Sequence, residues 1–311
     1  MKIIFMGTPD FAAAALEALL KAGHEIVLAV TQPDKPKGRS GQLQQPPVKA
    51  CALAHNIPVF QPERIKRPEA VAVLKEYEAE VFVVAAFGQI LSQEILDMPK
   101  RGCLNIHASL LPKYRGASPI QHVILDGEEK TGITIMQMNA GLDTGDILYQ
   151  RETVIKDTDT YQSLEQSLME LGGQAIVEAL ELMEKGELVP TPQDDEKSCY
   201  AALIRKEMGR LDFMKDAVVL DRQIRGMNPW PSAFTFLRGK QLKIWSARPE
   251  SENVKGADPG QIVSVEKDCF KICTGNGTLA VYEVQLEGKK RMNSHDFLLG
   301  VQLKPGEFLG A

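Results

Sequence analysis

Asn105 and His107 stand two residues apart in the run CLNIHA (103–108), which then breaks into the proline-bearing loop SLLPKYRG. A β-strand sends successive side chains to opposite faces, so the amide and the imidazole share one side and Ile106 takes the other. The histidines, at 24, 55, 107, 122 and 295, show no HxH, HxxxH or HExxH spacing, so no metal centre is expected. A second polar cluster, GLDTGD (141–146), follows the run TGITIMQM (131–138). Its glycines free the backbone for a tight loop that directs Asp143 toward a pocket. A satisfied polar pair and an Asp-rich turn are the plainer explanations of the two motifs taken singly. Together, at one sheet edge, they suit acyl transfer. Asn and protonated His donate hydrogen bonds to a developing oxyanion, while a carboxylate orients the imidazole and moves protons. No serine or cysteine is placed as a nucleophile, so direct transfer between two substrates is expected.

The elements that must position these groups follow from hydrophobic periodicity. Apolar runs at 2–6, 25–32, 80–86, 103–108, 131–138 and 146–155 alternate with helical patterns at 11–22, 46–56, 67–78, 117–125 and 160–185. Strands apolar on both faces and interleaved with helices predict an α/β fold with a largely parallel, doubly wound sheet. Gly7 opens a tight strand-to-helix turn, but FMGTPDF lacks the other glycines of a dinucleotide fingerprint, and no phosphate-binding GxxxxGK[ST] exists. The texture changes near 186–204, and residues 190–206 are read as a linker between a domain at 1–189 and another at 207–311. After a helix at 216–226 come short strands parted by RGK, GNG and EGKK turns. They predict a small antiparallel barrel, of which the OB type is a common nucleic-acid-binding form; a sandwich is the other arrangement that fits.

Composition bounds the rest. With 311 residues, 44% hydrophobic and 25% charged, the chain reads as an ordinary globular protein of two domains. Pro9 and Asp10 interrupt the N-terminal run too early for a signal peptide, and no apolar run approaches the ~20 residues of a membrane span. A cytoplasmic location is expected. Five scattered cysteines without a CxxC pair read as reduced thiols. Residues 205–311 carry 17 Lys/Arg against 13 Asp/Glu, whereas residues 1–204 carry 19 against 28. A basic module on an acidic one suits a polyanionic partner, with ordinary surface variation the alternative. The loop TQPDKPKGRSGQLQQPPVK (31–49) adds Lys35, Lys37, Arg39 and Lys49, a cationic stretch suited to a phosphate backbone.

Together, NIHASLLPKYRG and GLDTGD resemble the signature and catalytic-aspartate loop of the folate-dependent formyltransferases. FMGTPDFA, TQPDKPKGR, AFGQILS and NPWPSAF extend the likeness essentially end to end. The 31–49 loop, the NPWP segment and the C-terminal barrel point to the branch of that family that acts on tRNA. The resemblance implies a Rossmann-like domain followed by an OB-like barrel. It also implies transfer of a formyl group from 10-formyltetrahydrofolate to the α-amino group of methionyl initiator tRNA. Asn105, His107 and Asp143 are then the catalytic trio, with Asp143 orienting His107. Ser109, Leu110, Leu111 and Pro112 border the folate, and Phe87, Gly88, Ile90 and Leu91 line its pteridine pocket. Lys35, Lys37, Arg39 and Lys49 meet the tRNA. No metal is implied, and a monomer is expected.

Overall fold

Strand β1 (Lys2–Gly7) is buried from Ile3 onward, and its alternating side chains serve two layers at once. The computed structural model describes residues 1–37 and 42–310. Around β1 are arranged β2 (Glu25–Val30), β3 (Val59–Phe60), β4 (Val81–Ala85), β5 (Cys103–His107), β6 (Lys130–Gln137) and β7 (Ile147–Val154). They form one seven-stranded sheet in the order β7-β6-β5-β4-β1-β2-β3. The five strands from β5 to β3 are parallel, whereas on one edge β6 pairs antiparallel with β5 and β7 pairs antiparallel with β6.

Burial on both faces explains the continuous apolar runs of β1 and β4. Ile4, Met6, Leu28, Val30, Phe82 and Val84 form a cluster with Val71 and Leu74 of α3 (Pro68–Lys75) and Ile95 of α4 (Gln93–Leu96). Each large side chain removed from water there stabilises the fold by roughly 1.5–3 kcal/mol. Helix α1 (Asp10–Lys21) buries Phe11, Ala12, Ala15, Leu16 and Leu19, a stripe at helical spacing. Gly7 makes the turn into α1 sterically feasible, because a Cβ there would lie 2.8 Å from the Ala85 carbonyl oxygen. Helices α2 (Pro47–Ala54), α5 (Pro119–Asp126) and α6 (Tyr161–Lys185) complete the helices that precede the change in texture. No helix among the described residues is long and apolar enough to cross a membrane.

Two compact units emerge. The first comprises Met1–Pro119, Lys130–Val154 and Glu165–Ala201, and the second Ile120–Glu129, Ile155–Leu164 and Ala202–Ala311. Residues 190–201 belong to the first unit and are held there by backbone hydrogen bonds. Thr191 and Ile147 exchange both bonds at 2.8 Å, and Tyr200–Ala201 pair in parallel with Arg115–Gly116.

The second unit contains α7 (Ala217–Gly226), β8 (Ala233–Leu237), β9 (Lys240–Glu250), β10 (Ile262–Val265), β11 (Phe270–Cys273) and β12 (Thr278–Leu286). The sheet is antiparallel in the order β8-β9-β12-β11-β10. Its core joins Leu220 and Ile224 of α7 to Leu242, Ile244, Phe270 and Val281. The C-terminal segment bridges the two edge strands: Ile262 donates to Glu307 and Gly310 donates to Phe236, both at 2.8 Å. Edge strands bridged in this way expose fewer unpaired backbone groups.

Candidate active site

β5 lies between parallel β4 and antiparallel β6, which fixes its pleat. Ile106 is 3% exposed on one face, while Asn105 and His107 project from the other. His107 is buried, and its Nε2 lies 2.9 Å from the carbonyl oxygen of Tyr114. A carbonyl only accepts, so Nε2 carries the hydrogen and Nδ1 is the acceptor nitrogen of the neutral ring. Asn105 is half-buried and takes no part in the bond that fixes His107.

Tyr114 is presented by the SLLPKY loop, whose internal bonds explain its sequence. Ser109 Oγ donates to Lys113 O at 2.7 Å, and Thr134 Oγ1 donates to Ser109 O at 2.7 Å. Thr134 Oγ1 also accepts from Leu111 N at 3.0 Å and from Gln150 Nε2 at 2.9 Å. Ser109 and Leu111 are thus buried scaffold, while Leu110 and Pro112 remain half-buried.

Asp143 reaches His107 by a route that the strand pattern alone does not reveal. The sequence suggests three groups arriving at one sheet edge. Because β6 runs antiparallel to β5, the 138–146 loop instead leaves beside the start of β5, where Met138 N donates to Cys103 O at 2.8 Å. The loop folds back toward the end of β5 and brings Asp143 Oδ2 to 3.7 Å from His107 Nδ1. The same oxygen accepts from Gly116 N at 2.8 Å. Asp143 has φ +52, a left-handed conformation that an Asp tolerates better than most residues. Inside the loop, Asn139 Oδ1 accepts from Gly141 N and Thr144 Oγ1 at 3.0 and 2.9 Å. Gly145 is needed for a close approach: a Cβ there would run into the Gln137 carbonyl oxygen.

The 86–91 loop divides by burial. Phe87 and Leu91, at 2% and 6% exposure, pack into the sheet core, whereas Gly88 is exposed with φ +80 and Ile90 is 81% exposed. Thr8 Oγ1 and Gln32 Nε2 donate to the Phe87 carbonyl at 3.2 and 3.0 Å and hold the loop. Of the cationic residues, Lys35 is exposed. Lys49 pairs with Asp34 at 2.7 Å, and Gln61 Nε2 donates to the same carboxylate at 2.7 Å. Those hydrogen bonds, Gln61 first and then Lys49, hold the Asp34 carboxyl below its ordinary range. Arg39 lies outside the described residues.

Residues 1–180 match the formyl transferase family model, and residues 203–302 match the formyl transferase C-terminal domain. The chain belongs to the formyl transferase family. A methionyl-tRNA formyltransferase of Lachnospira eligens is 51% identical over 317 residues, covering 100% of both chains. Among solved structures, the N-formyltransferase from Helicobacter canadensis in complex with folinic acid and dTDP-3-aminofucose is similar in fold. It aligns with TM-score 0.67 at 18% identity, covering 94% of this chain and 100% of that one. HypX from Aquifex aeolicus, in complex with tetrahydrofolic acid, aligns with TM-score 0.65 at 19% identity. There the match covers 100% of this chain and 51% of that chain.

Within this formyl transferase His107 and Asp143 come together, but the sequence reading missed the groups that hold them. Tyr114 acts through its backbone carbonyl, which no side-chain motif announces. Thr134 sits between Ile133 and Ile135 in the buried part of its strand, where a hydroxyl needing partners was the available signal. Gln193 donates to Asp143 O and Gly145 O at 2.9 and 2.6 Å from a segment that reads as a linker.

Proposed function

We propose that this chain transfers the formyl group of 10-formyltetrahydrofolate to the α-amino group of methionyl initiator tRNA, giving the N-formylmethionyl-tRNA used to begin translation. The observation that carries the reading is the 51% identity, end to end, with a methionyl-tRNA formyltransferase. A formylated folate suits the residues present. Asn105 is half-buried with its amide outside the structural bonds, Gly88 offers open backbone, and Ile90 and Leu142 expose apolar surface at 81% and 58%. Phe87 and Leu91 support that pocket from below, and Leu110 and Pro112 border it, with Ser109 and Leu111 as their buried frame.

The chemistry needs donors where charge gathers and an acceptor for a proton. As the unprotonated amine adds to the formyl carbon, negative charge builds on the formyl oxygen. Asn105 and the protonated Nδ1 of His107 donate to that oxygen. Asp143 offsets the imidazolium charge and relays the proton lost by the attacking amine toward the departing folate nitrogen. The Tyr114 carbonyl keeps the ring in the one orientation that presents Nδ1.

Lys35, Lys37 and Arg39 contact phosphates near the acceptor end of the tRNA, and Lys49, paired with Asp34, steadies the base of their loop. The C-terminal region, 207–311, acts as an OB-like module that holds the tRNA body, with 1–189 catalytic and 190–206 connecting them. The protein works in the cytoplasm as a monomer. Incubation of formylated folate with charged initiator tRNA, beside aminated nucleotide sugars and other small amines, tests the assignment. Transfer confined to the charged tRNA is expected; preferential formylation of a small amine would overturn it.

A further inference from the structure

Gln193 lies between the two regions matched by the family models and reaches back to the active-site loop. Its Nε2 donates to Asp143 O at 2.9 Å and to Gly145 O at 2.6 Å, while its Oε1 accepts from Arg115 Nε and Nη2 at 3.0 and 2.9 Å. Only one orientation of the amide fits. Carbonyls can only accept and a guanidinium can only donate, so the reversed amide would oppose like groups on both sides.

Through these bonds one side chain joins both partners of a single contact. Arg115 is covalently next to Gly116, whose N–H donates to Asp143 Oδ2 at 2.8 Å. Asp143 itself sits at φ +52, which persists only where surrounding bonds over-determine it. Gln193 is in turn anchored by the paired backbone bonds of Thr191 to Ile147. We propose that Gln193 is a positioning residue for Asp143, holding its carboxylate toward His107, so that the segment after α6 is part of the catalytic apparatus. The inference rests on the formyl-transfer reading for its kinetic test.

Gln193→Ala and Gln193→Glu, alone and combined with Asp143→Asn, are compared in steady-state formyl transfer, alongside hydrogen exchange at the Gly116 amide. A kcat lowered by about 100-fold is expected in both single variants, with KM for both substrates nearly unchanged. Little further loss is expected on the Asp143→Asn background. Exchange at Gly116 is expected to quicken by about tenfold while Ile106 in β5 stays protected. The Glu variant keeps the acceptors for Arg115 but lacks the donors, so wild-type kcat in that variant would overturn the proposal. Additive loss with Asp143→Asn would do the same. Unchanged exchange at Gly116 refutes the clamp whatever the activity, whereas an unsubstituted protein inert toward charged tRNA refutes only the formyl-transfer reading.

Discussion

His107 Nδ1 stands 3.7 Å from Asp143 Oδ2, while Nε2 of the same ring is held 2.9 Å from the Tyr114 carbonyl oxygen. The orientation of the ring is therefore set by a backbone carbonyl, and the carboxylate faces the other ring nitrogen. Asp143 Oδ2 accepts from Gly116 N at 2.8 Å and stands 3.7 Å from Nδ1, beyond hydrogen-bond distance, so it faces the imidazole as a charge. A neutral ring then leaves Nδ1 as an acceptor, and a protonated ring gains both a counter-ion and a second donor.

Replacing His107 by Ala should lower kcat by about 10²–10⁴-fold, the range of general acid–base contributions. Tyr114 and its loop are held by Ser109 and Thr134, so tRNA binding should persist. A filter-binding affinity close to wild type beside a collapsed single-turnover rate is the expected pair of results, and a near-normal rate would remove His107 from the chemistry.

Gly145→Ala forces a methyl group against the Gln137 carbonyl. Overpacking of this kind costs about 1–3 kcal/mol, and the loop can escape it by moving Asp143. Reduced kcat together with a lower unfolding midpoint is expected. A crystal structure of the variant with an undisplaced 141–146 loop would contradict the close-approach argument.

Arg39→Ala should weaken tRNA binding and flatten its dependence on salt, since removing one cation from the phosphate backbone reduces the log–log slope by about 1. Binding isotherms at several salt concentrations measure this directly. Folate affinity should not change, and an unaltered slope would exclude Arg39 from phosphate recognition.

Asp34 supplies the pH-dependent prediction. Its carboxyl is held below the ordinary range, first by Gln61 and then by Lys49. A depressed folded value means that the stabilisation is fully present above the unfolded value of about 3.9 and is lost as pH falls through the lower folded value. Asp34→Asn should therefore melt below wild type at neutral pH, and the two melting curves should converge under strongly acidic conditions. A gap that widens on acidification would show the sign to be wrong.

Much of this molecule is a local property of the chain. Period-two alternation alone put Asn105 and His107 on one side of β5, and helical spacing of apolar residues placed α1 and α3. Neither depends on what the element packs against. The partner of a side chain does depend on it. The direction of β6, and hence the path of Asp143 back to His107, follows from which strands pair. Tyr114 contributes a carbonyl that every residue possesses, and Gln193 meets Asp143 across 50 positions of sequence. The sequence by itself determined which chemical groups are available and which faces they share. Tertiary structure decided which nitrogen faces the carboxylate and what holds the loop in place, because those interactions arise only once distant segments have closed on one another.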